Sequence, residues 1–207
     1  PVYIGDPINT VKIFNDFQAD ELILLDIEST AKKTPIQFDL IKRIAEEAYM
    51  PLSYGGGVKT IEQVAQLINS GVEKIVLCSA LEKQSELITH ISERYGSQAV
   101  VACVDIKKVG SDYFAFVENG KKLIDMSLEH YVQNLVEKGA GEIMLQFIEK
   151  DGTETGLDQD FIGQISATIN VPVIIAGGTD SLETIKTATL QNGASAVAVG
   201  SLFSFLG

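Results

Sequence analysis

Short runs of apolar, often β-branched residues alternate along this chain with longer stretches in which apolar positions recur three and four residues apart. The short runs have the length of strands and the long ones the period of amphipathic helices. Runs that are apolar on both faces fit parallel strands covered by helices, so the pattern predicts an α/β fold. It places strands over 21–26, 52–54, 74–78, 99–105, 142–147, 173–176 and 196–199. Helices are expected over 10–17, 39–48, 61–70, 86–95, 128–138, 160–169 and 181–192, several opened by Asp, Ser or Thr as caps. The segment 109–122, with DYFAFVENGKK, reads as a small hairpin inserted after the fourth of these strands. No linker or low-complexity stretch divides the chain, and a single domain over 1–207 is expected.

The alternation also repeats itself. Shifted by about 121 positions, 19–57 overlays 140–178 without a gap, pairing Glu21 with Glu142, Ile27 with Ile148, Asp39 with Asp160 and Pro51 with Pro172. Gly56 and Gly57 then meet Gly177 and Gly178, and after one inserted residue CSAL at 78–81 meets GSLF at 200–203. Similarity through strand, loop and helix alike implies two copies of a four-strand unit, a first half to about residue 98 and a second from about 99. Two such units make a (β/α)8 TIM barrel of two homologous half barrels, a fold that usually takes roughly 250 residues. The partner of the strand at 99–105 would lie upstream of Pro1, and a last helix would follow Phe205, so the first strand and last helix are expected to be missing from this chain.

Composition narrows the function. A formal charge of −12 repels polyphosphate backbones and anionic lipid, which argues against nucleic-acid or membrane-surface partners. Any bound phosphate must be held by local donors. Both cysteines, Cys78 and Cys103, lie in apolar runs, and nothing resembles a secretory segment or a long membrane span, which points to a reducing cytoplasm.

Each half ends one strand in paired glycines and the next in a small residue followed by serine: Gly56 and Gly57 then Cys78 and Ser79, Gly177 and Gly178 then Gly200 and Ser201. Glycine lets backbone N–H groups approach an anion, and a following helix start adds partial positive charge. Such glycines can also serve only tight turns, but their recurrence at matching places favours twin phosphate sites. Asp105 closes the strand VVACVD at the end where barrel active sites form, and is the candidate general acid or base; the alternative is a structural cap. Strand parity puts Val101 and Cys103 on its face, Met144 and Gln146 with Glu142, and Val76 and Cys78 with Lys74. Glu21, Lys74 and Glu142 begin their strands and gather at the opposite, amino-terminal mouth, as a solvated rim or a polar gate. His90 and His130 fall on helices, no set of residues has metal-ligand spacing, and neither a metal nor a cofactor is expected.

Taken together, GGGV…E…G…EK, VVACVDIKK, GAGEI…KDGT…G.D and AGG…GS.F resemble the cyclase subunit of imidazole glycerol phosphate synthase, over nearly the whole chain. The resemblance implies a barrel of the ribulose-phosphate-binding type that receives ammonia from a glutaminase subunit on its amino-terminal face. It also implies lyase and cyclisation chemistry on a bisphosphorylated substrate. Glu21, Lys74 and Glu142 match members of the family's ammonia gate. Asp105 matches one of two catalytic aspartates, the other belonging to the first strand. Asp151 and Gly152 match an active-site loop, while Gly57, Ser79, Gly178 and Ser201 match phosphate-site positions. Cys78, Gln146 and Ala176 depart from the asparagine, threonine and serine of the histidine-pathway enzyme. All three line the pocket, which bears on the substrate. The opening IGDPIN, with MPLSYGGG and GVEK, looks more like a paralogous branch that forms acetamidino sugars for surface polysaccharide. The histidine-pathway cyclase, a phosphoribosyl isomerase and a non-catalytic scaffold that activates a glutaminase stand as alternatives.

Overall fold

The computed structural model describes residues 5–27, 29, 34–118 and 120–204, with the side chains at 82, 83, 201 and 204 outside that description. Helix α1 (Pro7–Asp16) opens the described chain. It starts a turn earlier than its apolar period suggests, because Asp6 accepts from the amides of Ile8 and Asn9 and Pro7 supplies a helix-ready φ at the first position. There follow β1 (Leu22–Leu25), α2 (Phe38–Glu47), β2 (Leu52–Gly55), α3 (Ile61–Asn69), β3 (Lys74–Leu77), a single turn α4 (Ala80–Lys83) and α5 (Glu86–Tyr95). The later elements are β4 (Val100–Val109), β5 (Asp112–Val117), β6 (Lys122–Leu123), α6 (Leu128–Glu137), β7 (Glu142–Phe147), α7 (Gln159–Ser166), β8 (Val173–Ala176), α8 (Leu182–Leu190), β9 (Ala196–Ala198) and α9 (Ser201–Ser204).

The main sheet runs β1-β2-β3-β4-β7-β8-β9, every neighbour parallel. Helices return the chain between successive strands, as parallel pairing requires. Strand β4 outruns its prediction because two partners share it. Val101–Ile106 pairs with β7, while Asp105–Val109 pairs antiparallel with β5 of the inserted hairpin. Caps fix the helix starts: Thr60 and Gln63 form a reciprocal capping box on α3, and Ser127, Asp158 and Ser181 accept from the amides of His130, Phe161 and Thr184.

Two apolar layers result. Outward-facing strand residues such as Leu52, Ile75, Leu77 and Ile143 bury against Ile44, Leu67, Ile88 and Val132 of the helices. Each such fully buried side chain contributes about 2 kcal/mol relative to exposure. The inward-facing residues form a second cluster, Val76, Val101, Cys103, Met144, Ile174 and Ala176, joined by Ile23 from β1 and Ala198 from β9. Residues from the two edge strands meet in that one cluster, so the sheet curls into a nearly closed (β/α)8-type barrel. Among the described residues β1 and β9 have no strand on their outer edges, and Leu25 on β1 is correspondingly exposed. No described helix is long and apolar enough to cross a membrane.

Candidate functional site

The barrel interior has three levels. At the amino-terminal mouth the Lys74 ammonium donates to Glu21 Oε2 at 2.7 Å and to Glu142 Oε1 at 2.8 Å, and the buried Ser53 hydroxyl donates to Glu21 Oε1 at 2.5 Å. These side chains are only 20, 26 and 16% exposed for Lys74, Glu21 and Glu142, so the cluster is a partly buried network rather than a solvated rim. Burial alone pulls the Lys74 ammonium toward neutrality, but its bonds to Glu142 and Glu21 outweigh this and hold its pKa above the ordinary value. The charged form is the one this mouth keeps.

Above it the interior is apolar: Ile23, Val76, Val101, Met144 and Ile174. The carboxyl-terminal mouth follows, where the same strands present Cys78, Cys103, Asp105 and Gln146. Register places Asp105 beside Gln146 and Gln146 beside Ala176. Cys78 Sγ donates to Asp105 Oδ1 at 3.6 Å. Burial pushes the Asp105 carboxyl up, opposed by that thiol and by the Lys107 charge. The fully buried Cys103 thiol is raised by its contact with Cys78, by burial and by the nearby Asp105 charge. Strand parity read from the sequence is therefore what the structure has on β3, β4 and β7.

Around this mouth the two diglycine turns repeat one another in space. A Cβ on Gly56 would lie 2.3 Å from the carbonyl oxygen of Asp26, and one on Gly177 would lie 2.7 Å from that of Phe147, the residue at the matching repeat position. The next glycines do the same with side chains: a Cβ on Gly57 meets Ser29, and one on Gly178 meets Lys150, again a matching pair. All four have positive φ, from 68° at Gly57 to 118° at Gly56. Each turn is thus seated against the loop of the preceding strand, which only glycine permits.

The loops themselves differ. Beside Gly57 lies a cavity of about 240 Å³ lined by Ser29, Thr34, Ile36, Lys59 and Gln63. Over Gly178 the loop 148–158 closes: the Gly156 amide donates to the Gly178 carbonyl at 2.8 Å and the Lys150 ammonium donates to the Gly156 carbonyl at 2.9 Å. Asp151 and Gly152 are exposed in this loop; the Asp151 amide donates to the Phe147 carbonyl at 3.0 Å, and a Cβ on Gly152 would meet nothing within 4 Å. Ser79 and Gly200 are exposed at the ends of β3 and β9, and the side chain of Ser201 lies outside the described residues. The inserted hairpin pins the loop: the Tyr113 hydroxyl and the Lys108 ammonium both donate to Asp158 Oδ2, at 3.0 and 3.1 Å. The Tyr113 ring also packs on Phe161 and edge-on to Phe147, with centroids 4.1 and 5.3 Å away.

Two features escaped the sequence reading. Thr179, next to Gly178, buries a hydroxyl that has no hydrogen-bond partner among the described residues. An isolated threonine after a glycine pair carries no such signal; its repeat partner is Val58, and that contrast was the available hint. The second is the convergence of Cys78, Cys103 and Asp105, whose sulfur and oxygen atoms all lie within 4.8 Å of one another. Sequence spacing does not show it, because strand register brings them together.

Known proteins resemble this chain in sequence. The family profile described as histidine biosynthesis protein matches residues 1–206. A protein of Vibrio vulnificus (strain YJ016), provisionally named imidazole glycerol phosphate synthase subunit hisF3, is 42% identical over 207 residues, covering 99% of this chain and 80% of the relative. The Pseudomonas aeruginosa relative of strain PAO1, provisionally named subunit hisF2, is 39% identical over 208 residues, covering 100% and 83%. Imidazole glycerol phosphate synthase subunit HisF of Alkaliphilus metalliredigens (strain QYMF) is 35% identical over 203 residues, covering 97% and 80%. The chain belongs to the histidine biosynthesis protein family, and within it resembles the imidazole glycerol phosphate synthase subunit HisF.

Proposed function

We propose that the protein is the synthase subunit of a glutamine amidotransferase, taking ammonia at its amino-terminal mouth and using it on a phosphorylated substrate at the carboxyl-terminal one. The observation that carries this reading is the column through the barrel: Glu21, Lys74 and Glu142 below, an apolar middle of Val76, Val101 and Met144, and Asp105 above. A dry apolar passage keeps ammonia unprotonated, so the nucleophile reaches an electrophilic carbon intact. The ion-paired mouth seals against bulk water and gives a docked glutaminase a polar surface to meet. Asp105 then transfers a proton at the reacting centre.

The substrate is oriented by its phosphate groups at Gly56, Gly57 and Ser79 in the first half and at Gly177, Gly178, Gly200 and Ser201 in the second, with Asp151 and Gly152 closing from the loop. The unpartnered Thr179 hydroxyl supports this, since a buried donor beside a diglycine turn calls for an acceptor that a phosphate oxygen provides.

Cys78, Gln146 and Ala176 stand side by side with Asp105 where the histidine-pathway cyclase carries asparagine, threonine and serine, which supports a different substrate. The motifs IGDPIN, MPLSYGGG and GVEK support an acetamido sugar converted to an acetamidino sugar as that substrate. The imidazole-forming reaction of the histidine pathway is the second reading, favoured by the names of the relatives.

Both share one test. With the glutaminase partner present, turnover is measured on the histidine-pathway bisphosphate substrate and on an acetamido sugar, with glutamine or with ammonium salt as the nitrogen source. Asp105→Asn is expected to cut turnover from both sources by at least about 100-fold while the fold persists. Lys74→Met is expected to lower glutamine-dependent turnover about tenfold and spare the ammonium-dependent reaction. Ammonium that never replaces glutamine would sink the delivery model.

A further inference from the structure

We propose that Cys78, Cys103 and Asp105 form a binding site for a soft divalent transition-metal ion, with zinc as its representative. The inference goes beyond the ammonia reading and does not rest on it.

The geometry is that of three ligands already in place. Leu77 pairs with Ala102 across β3 and β4, which puts the next residues, Cys78 and Cys103, side by side on the inward face. Asp105 follows two residues on along β4, on the same face. The three donor atoms lie within 4.8 Å of one another, and Cys78 Sγ is 3.6 Å from Asp105 Oδ1. Zinc held tetrahedrally at about 2.3 Å from sulfur and about 2.1 Å from oxygen spaces those two atoms about 3.6 Å apart. For that pair the unliganded spacing matches the liganded one, and Cys103 lies close enough to join them through a side-chain adjustment.

The chemistry of the set selects the ion. Two thiolates and one carboxylate suit a soft or borderline cation and disfavour magnesium or calcium, which take oxygen ligands at higher coordination number. Binding displaces the two thiol protons to solvent, so the ion and protons compete and affinity rises with pH. Beside the cluster a cavity of about 20 Å³, lined in part by Phe116, Glu118 and Tyr131, has room for about one water, which completes a four-coordinate site with one open position. The same cluster reads otherwise as a thiol pair that closes into a disulfide, and the test separates the two.

The protein is stripped with a chelator under a thiol-free reductant, desalted, and titrated with Co²⁺ as the spectroscopic probe. The expected result is one equivalent bound, near-ultraviolet sulfur-to-cobalt charge transfer, the intense visible bands of tetrahedral cobalt, and displacement of all of these by Zn²⁺. Cys103→Ser and Cys78→Ser should each weaken charge transfer and lower zinc affinity by at least about 100-fold, and Asp105→Asn should lower affinity while keeping the sulfur bands. Cys103 is fully buried, so circular dichroism checks each variant, and the half-buried Cys78 carries the test if Cys103→Ser does not fold. Substoichiometric cobalt, no sulfur bands, or affinity unchanged in a folded cysteine variant would overturn the site. So would a disulfide that forms readily in a protein that takes no metal after reduction. Turnover is not a readout here, so the site is tested independently of the ammonia reading; while the ion is bound, Asp105 serves it as a ligand and does not transfer a proton.

Discussion

The turn at Gly56 and Gly57 is half-buried and opens on a cavity, while its repeat at Gly177 and Gly178 is buried beneath the loop 148–158. The backbone takes the same course in both, with positive φ at all four glycines. Matching glycines press against matching neighbours, Asp26 and Phe147 for the first pair, Ser29 and Lys150 for the second. What differs is the side chains laid over that backbone: Ser29, Lys59 and Gln63 on one side, and Lys150, Thr179 and a loop anchored by the hairpin on the other. The two halves thus share the part that sterics dictates and differ in the part that, on the proposed function, reads a ligand. In a substrate with two phosphates, the two ends would be held by the same backbone device and told apart by these side chains.

The equivalence of the two backbones is tested most severely by adding one carbon to each. Gly56→Ala drives a methyl to 2.3 Å from the Asp26 carbonyl oxygen at a φ of 118°, and Gly177→Ala drives one to 2.7 Å from that of Phe147 at 90°. Neither neighbour is a flexible side-chain tip, so the strand ends must part. Each substitution is expected to cost about 3 kcal/mol, Gly56→Ala more than Gly177→Ala, by urea midpoint. Gly152→Ala has the same kind of φ and open space around it, and should cost about 1 kcal/mol. If Gly177→Ala were as mild as Gly152→Ala, the two turns would not be the same device.

The side chains are probed next. Thr179 and Val58 occupy matching positions, both buried, but only Thr179 brings a hydroxyl, and it lacks a partner among the described residues. Thr179→Val should raise the stability of the unliganded protein by about 1 kcal/mol, because a stranded polar group is removed. The same change should weaken binding of a phosphorylated ligand about tenfold, the worth of one hydrogen bond to a charged group. Thermal melting reads the first effect and calorimetric titration with a sugar phosphate the second. A gain in stability with no loss of affinity would make Thr179 a packing residue and nothing more.

How much of this the sequence disclosed follows from the range of the interactions. Strands 173–176 and 142–147 were legible because continuous apolar runs between turns depend only on neighbours. The diglycine turns were legible because the repeat displayed them twice. The Lys74, Val76 and Cys78 column was legible because parity along one strand needs no partner. Contacts between strands were not: Cys78 meets Cys103 only because β3 and β4 pair in one register, and a slip of one residue would turn one of them outward. The end of β4 was missed for a like reason, since its extension to Val109 exists only while β5 pairs with it. Helix α7 ends at Ser166 rather than running to 169, although the apolar period continues through Ile169. Nor did any local pattern join Tyr113 to Asp158, which come from an inserted hairpin and a loop.

That last contact is the smallest difference between the halves, and it can be tuned by pH. Asp158 does two things at once: Oδ1 caps α7 through the Phe161 amide, and Oδ2 accepts from Lys108 and Tyr113. Burial works to raise its pKa, but the bonds from Lys108, the Phe161 amide and Tyr113 overcome that and hold it below the ordinary carboxylate value. A depressed carboxylate binds its proton more weakly folded than unfolded, so its stabilisation is complete above the unfolded pKa, about 3.9, and fades as pH falls through the lower folded value. Lys108 is about half exposed, so solvent screens the pair and about 0.5 kcal/mol is at stake. Asp158→Asn keeps an oxygen that can cap the helix while removing the charge. Its destabilisation should therefore be full near neutral pH, shrink as pH falls below the unfolded value of about 3.9, and vanish once the folded wild-type carboxylate is itself protonated. A loss that stayed constant from neutral to acid pH would mean that the cap, and not the charge shared with the hairpin, is what Asp158 provides; the hairpin's own grip on the loop would then rest on the packing of the Tyr113 ring.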